Sequence, residues 1–158
     1  MIKYFLKNQN LELKLGTEGA AGYDVHADIG AEREINPFER WKISTGLFVS
    51  FPRGVVMMIC SRSGLAINHG IVVANAPGIV DSDYRGEVMV TLRNEDKSAP
   101  YVIHPGDRIA QVLFTPVLPA FSTLRTYDSA FWTPVRVGSL EELGSTERGS
   151  SGHGSTGR

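Results

Sequence analysis

The 158-residue chain contains a single cysteine, Cys60, and so can form no internal disulfide. That excludes a disulfide-stapled secreted scaffold and points to a reducing compartment. No apolar run approaches the roughly 20 residues a membrane-spanning helix needs. The first fifteen residues, MIKYFLKNQNLELKL, interleave charge with hydrophobicity and lack a signal-peptide profile. Charge of one sign is also missing: Lys+Arg 16 against Asp+Glu 17 gives a net charge of −1 and a pI near 6.4. That balance offers no electrostatic footprint for duplex nucleic acid or an anionic membrane, so neither is expected as a partner. Four scattered histidines and one cysteine provide no zinc-ligand spacing, which disfavours a zinc-dependent base deaminase. GxxxxGK[ST] and GxSxG are both absent, and with them a Walker-type phosphate loop and a serine-hydrolase elbow. Gly152 to Gly157 does spell GxGxxG, but only one residue follows it, so the strand–turn–helix setting of a dinucleotide fingerprint is not there. A soluble, intracellular, single-domain protein is the expectation.

What is present is turn chemistry around short apolar runs. Hydrophobic residues make up 42% of the chain, enough for a core in a protein that buries roughly 70% of its unfolded surface. Seventeen Gly and 8 Pro bound runs at Lys42 to Phe51, Gly54 to Cys60, Gly70 to Ala74, Glu87 to Leu92 and Arg108 to Phe114. With no sustained helical period, these read as strands of an all-β sandwich or barrel. The central runs carry almost no polar residues and should be covered on both faces, which hints at an oligomer. Two short helices are expected. Arg62 to Asn68 follows a serine pair and stops at Gly70, while Ser139 to Glu142 has capping-box spacing. Residues 144–158 turn to Gly and Ser without an apolar anchor and read as a flexible arm after a β domain spanning residues 1–143.

Several polar segments are chemically unusual. Ala21-Gly22-Tyr23-Asp24 sets an acid beside a Gly-rich turn. Ser61 to Leu65 brings a guanidinium, a hydroxyl and free backbone N–H groups to a helix start, an anion-binding arrangement. Asn75 to Glu87 packs two aspartates, a tyrosine and an arginine between apolar strands, as a hairpin tip would. Gly106 to Gln111 leads into a further buried strand, and the tail adds Arg148. Each has a plainer explanation. Asp24 can shape a turn, Ser63 can cap a helix, Asp81 and Asp83 can form a solvated turn paired with Arg85, and Arg108 can be a structural ion-pair partner. Their joint occurrence outweighs those explanations.

AGYDVHA (Ala21 to Ala27), SRSGLA (Ser61 to Ala66), NAPGIVDSDYRGEV (Asn75 to Val88), GDRIAQVLF (Gly106 to Phe114) and TERGSSGHGSTG (Thr146 to Gly157) resemble the five ordered motifs of the trimeric dUTPase family. The likeness spans nearly the whole chain. It implies a distorted jelly-roll (a β-clip) with one short helix, assembled as a homotrimer whose active sites draw on three subunits. It also implies conversion of dUTP and water to dUMP and pyrophosphate with Mg²⁺. Such an activity limits uracil incorporation into DNA and supplies dUMP for thymidylate synthesis.

By that resemblance Asp81 is the catalytic aspartate that deprotonates the attacking water. Asn75, Gly78, Ile79 and Val80, with Met89 on the return strand, read uracil. Tyr84 lies under the sugar and excludes a 2′-hydroxyl. Arg62, Ser63 and Gly64 bind phosphate, Gln111 contacts the phosphate chain, and Arg148 meets the γ-phosphate. Asp24 holds Mg²⁺ through water. His153, Gly154, Ser155 and Thr156 close over the nucleotide.

Three positions depart from the family pattern. His153 stands where Phe is usual as the lid over uracil, Ser151 where Gly is common, and Ser61 where Pro often precedes the Arg-Ser-Gly step. Arg125 to Thr133 is read as packing or inter-subunit surface. The competing readings are a dCTP deaminase of related fold and a non-catalytic regulatory protein of dUTPase type. A cytoplasmic location is expected, or the host-cell cytoplasm for a viral protein.

Overall fold

The computed structural model of the chain describes residues 1–117 and 133–151. Within them lie thirteen strands, one α-helix and one 3₁₀ turn. The N-terminal half holds β1 (Lys3–Leu6), β2 (Lys14–Leu15), β3 (Tyr23–His26), β4 (Arg33–Ile35), β5 (Arg40–Ile43), β6 (Leu47–Ser50) and β7 (Val55–Cys60), then α1 (Ser63–His69). There follow β8 (Ile71–Val73), β9 (Gly78–Val80), β10 (Val90–Asn94), β11 (Tyr101–Ile103), β12 (Arg108–Pro116) and β13 (Val135–Arg136), with the 3₁₀ turn at Glu141–Leu143.

The largest sheet runs β2-β3-β12-β7-β9, with β12 antiparallel to both its neighbours. Three smaller sheets run β13-β1-β6, β5-β10-β8 and β11-β4. The all-β expectation holds, and one core unites these sheets. Val55, Met57 and Ile59 of β7 face inward with Val112 of β12, Leu92 of β10 and Val49 of β6. Each such fully buried aliphatic side chain stabilises the fold by roughly 1.5–3 kcal/mol.

Four local expectations change in detail. The run Lys42 to Phe51 is two strands, because Gly46 at φ 61 breaks it between β5 and β6. Segment 75–87 is not a simple hairpin tip. Strands β8 and β10 do pair antiparallel, but β9 between them leaves that sheet to become the outer strand beside β7. The expected α1 is present and ends on Gly70 in the left-handed conformation, but its N-cap is Arg62, with no side-chain cap. The Ser61 hydroxyl instead accepts the Val73 N–H at 2.8 Å. The Ser139 capping box becomes one 3₁₀ turn in which Glu142 accepts from the Gly138 N–H.

Even-numbered residues of β7 lie on the other face of the large sheet. There Met58 faces Leu113 on β12 and Ile79 on β9, and Cys60 faces Gln111. This outer row is largely apolar, and Ile79 is 57% exposed.

Candidate functional site

Alternation along β3 buries Val25 in the core and turns Asp24 to the opposite face. Its carboxylate holds two guanidiniums: Arg62 Nε donates to Oδ1 at 3.0 Å and Arg108 donates to Oδ2 at 3.1 Å. Arg62 also donates to the Arg108 carbonyl at 2.9 Å, so the two arginines are fixed together. The side-chain amide of Gln111 donates to the Ser61 carbonyl at 3.0 Å and thereby holds the turn entering α1. Gly22 leaves room for this amide: a Cβ there would lie 2.9 Å from Gln111 Oε1 and 3.3 Å from the Val112 carbonyl, so a larger residue would displace the glutamine. Ser63 and Gly64 are exposed in the first turn of α1, where backbone N–H groups have no intrahelical partner. Asp24, His26 and Arg108 also line a cleft of about 480 Å³ with the Asn10–Gly16 stretch that carries β2. Burial pushes the His26 imidazole pKa down, with Arg108 and Arg62 adding to the effect against the opposing pull of Asp24.

The second group forms around β9. Gly78 and Val80 are buried, with Gly78 packed against Ile59 and the Asn75 side chain, and Asn75 itself is exposed. Beyond Val80, Asp81 and Asp83 stand 53% and 56% exposed. Both aspartates pair with Arg148, not with Arg85 as the solvated-turn explanation would have it. Arg148 contacts Asp81 directly, reaches Asp83 at 3.2 Å, and lies 5.8 Å from the centre of the Tyr84 ring. The bond to Asp81 raises the arginine's pKa above its usual value. Tyr84 is half-buried and donates to the Glu87 carbonyl at 2.8 Å; burial, then Glu87, raises its phenol pKa, so it stays neutral. Met89 is half-buried and stands one residue ahead of β10, not within the return strand itself.

Glu87 anchors this loop to the core. Its carboxylate accepts from Ser44 Oγ, from the Thr45 and Gly46 N–H groups at 3.2 and 3.0 Å, and from Lys7 Nζ at 2.9 Å. Burial alone would raise its pKa, but these donors together hold the carboxyl below its usual value. Glu87, Asp83, Arg85 and Thr146 were missed as site residues in the sequence. An acid set between Gly86 and Val88 was the one available signal for Glu87.

The two groups do not meet within one chain. From β3 to β9 there are three inter-strand steps, about 14 Å at about 4.8 Å each. Val80 also lies three residues along from the Asp24–Gln111–Cys60 row, about 10 Å further. Among the described residues, no hydrogen bond or ion pair joins the Asp24 group to the Asp81 group. His153, Gly154, Ser155 and Thr156 lie outside the described residues, as does Arg125 to Trp132.

The dUTPase family model matches residues 11–157. The chain is 47% identical over 141 residues to a deoxyuridine 5'-triphosphate nucleotidohydrolase of Desulfotalea psychrophila, an alignment covering 89% of this chain and 83% of that one. A protein of the same name from Fusobacterium nucleatum is 40% identical over 154 residues, covering 97% and 94%. Among solved structures, dUTPase from Streptococcus mutans superposes with a TM-score of 0.65 at 28% identity, over 72% of this chain and 91% of that one. A glycine-to-serine mutant of Staphylococcus bacteriophage 80alpha dUTPase shares the fold with a TM-score of 0.66 at 22% identity, over 100% and 99% of the two chains. With the mostly β architecture, these matches define a β-fold of the nucleotide-hydrolase class. The chain belongs to the dUTPase family.

Proposed function

We propose that the protein hydrolyses dUTP to dUMP and pyrophosphate, with Asp81 as the base. The carrying observation is the family match over nearly the whole chain together with Asp81 and Tyr84 on one loop and Arg148 of the C-terminal segment laid against both. In this reading a water beside Asp81 gives its proton to the carboxylate as its oxygen attacks the α-phosphorus. The bond from that phosphorus to the bridging oxygen breaks, and pyrophosphate leaves. General-base help of this kind contributes about 10²–10⁴-fold.

The backbone of Gly78 to Val80, with Asn75 and Met89, reads the uracil edge, because a base with the wrong donor pattern would leave buried groups unpaired. Tyr84, neutral and held by the Glu87 carbonyl, supports the sugar. Arg62, Ser63, Gly64 and Gln111 take the phosphates, and Arg148 takes the γ-phosphate. Residues 144–158 act as the closing arm, with His153 to Thr156 over the nucleotide, excluding bulk water.

The donor set fits a loosely held Mg²⁺. Among the described residues, no group of three or more His, Cys, Asp or Glu is placed to cage a metal ion. Asp24 has four lone-pair sites and spends two on Arg62 and Arg108, which leaves acceptors for metal-bound water. When bound, Mg²⁺ supplies charge neutralisation along the triphosphate.

We read the assembly as a homotrimer with shared sites. Support comes from the separation of the Asp24 and Asp81 groups within one chain and from the apolar outer row of Met58, Leu113 and Ile79. A cytoplasmic setting, host-cell if viral, is in keeping with the lone Cys60. Among the described residues, no helix is long and apolar enough to cross a membrane. Incubation with dUTP and with dCTP, each with and without a chelator, tests the proposal. Chelator-sensitive release of pyrophosphate from dUTP supports it. Ammonia from dCTP without pyrophosphate from dUTP would overturn it.

A further inference from the structure

We propose that Arg85 is a positioning residue that docks the C-terminal segment bearing Arg148 onto the Asp81–Tyr84 loop. Its guanidinium spends three N–H donors on main-chain carbonyls. Nε reaches Gly144 at 3.2 Å, and one terminal nitrogen reaches Ser82 and Tyr84, both at 2.9 Å. One planar group therefore bridges the loop and the start of the segment. The Arg85 N–H donates to the Gly149 carbonyl at 2.7 Å, one residue past Arg148. A further tie runs the other way, from the Thr146 hydroxyl to the Asp83 carbonyl. Three bonds thus fix Gly144, Thr146 and Gly149 around Arg148, whose guanidinium then falls on Asp81 and Asp83.

A side chain partnered this way is not a surface counter-ion. Burial draws the Arg85 pKa down from its usual value, as expected for a guanidinium sunk among carbonyls. Lysine cannot replace it, because a single ammonium lacks the rigid fork that serves both sides at once. Arg85→Lys therefore keeps the charge and removes the bridge.

The consequence for turnover rests on the roles proposed above for Asp81 and Arg148; the docking does not. Hydrogen exchange by mass spectrometry on the full-length protein, wild type against Arg85→Lys and Arg85→Ala, tests the docking directly. Amides of 144–151, including those of Gly149 and Ser151, should exchange at least tenfold faster in both variants, with β7 and β9 unchanged. kcat/KM for dUTP should fall at least tenfold in parallel. Unchanged protection of 144–151 would overturn the proposal, as would equal loss across β9, which would mean Arg85 only holds its own loop. Should either variant lose strand protection throughout, Thr146→Ala decides from the segment's side. A selective gain in exchange over 144–151 supports docking, and none refutes it. If the variants show this exchange pattern while the wild type turns over no dUTP, the functional reading is retired and the docking stands.

Discussion

Arg148 and Asp81, 67 positions apart in sequence, form an ion pair, and the same guanidinium is shared with Asp83. The residue proposed to grip the outermost phosphate thus rests on the residue proposed to activate water. On those proposed roles, an incoming triphosphate would compete for the arginine and uncover the carboxylate.

Arg148→Ala should consequently cost activity without costing stability. The aspartates it meets are more than half exposed, and exposed pairs contribute about 0–1 kcal/mol. A lost charge-assisted bond to phosphate corresponds to about 10–100-fold in kcat/KM. Steady-state kinetics beside a thermal melt checks both halves; a large drop in melting temperature would make Arg148 a structural residue.

Asp24→Asn leaves Arg62 and Arg108 facing a neutral amide. Removing a group that orients a metal's water shell typically costs about 10–100-fold in metal affinity or activity. The Mg²⁺ concentration for half-maximal turnover should rise on that scale. An unchanged Mg²⁺ titration would remove Asp24 from the metal's surroundings.

Glu87 gives the fold an acid-sensitive tie. Its folded pKa lies below the ordinary 4.5, so its stabilisation is present above that value and is lost as pH falls through the folded pKa. Glu87→Gln should lower stability at neutral pH by about 1–3 kcal/mol, because donors from Ser44, Thr45, Gly46 and Lys7 lose a charged acceptor. The gap between variant and wild type should narrow below about pH 4.5, as denaturant melts across pH will show. A gap independent of pH would contradict the assignment.

Phe38 occupies the third position of the Asn36–Glu39 turn at φ 62 and is 56% exposed, so it bears left-handed strain with little burial in return. That strain costs roughly 1–2 kcal/mol, and glycine's extra chain entropy offsets about 0.5–1 of it. Phe38→Gly should raise stability by about 0.5–1 kcal/mol, or a few degrees in Tm, with activity intact. A lower Tm would mean that the ring is packed in solution.

The strands most legible in the sequence were those with long, mostly apolar runs, such as Val55–Cys60 and the stretch from Arg108 to Phe114. Helix α1 was legible through Gly70, whose φ of 65 only glycine adopts freely. The transfer of β9 to the second sheet was not legible, because Gly78–Val80 is three residues long and its partner Met57–Ile59 is about twenty residues away. β1 and β3 went unread for the same reason: four residues of half-buried alternation give a weak local signal. Asp24, Arg62, Asp81 and Arg148 were found through motif resemblance. That the acids would pair with Arg62, Arg108 and Arg148, leaving Arg85 to the carbonyls, depends on loops distant in sequence and could be seen only in the folded chain.

The most direct test of the account is single-turnover hydrolysis of dUTP by Asp81→Asn beside equilibrium binding of the same nucleotide. Loss of the base predicts a rate about 10²–10⁴-fold lower with affinity retained within a few-fold. Turnover within a few-fold of wild type would contradict the claim that Asp81 takes the proton from water.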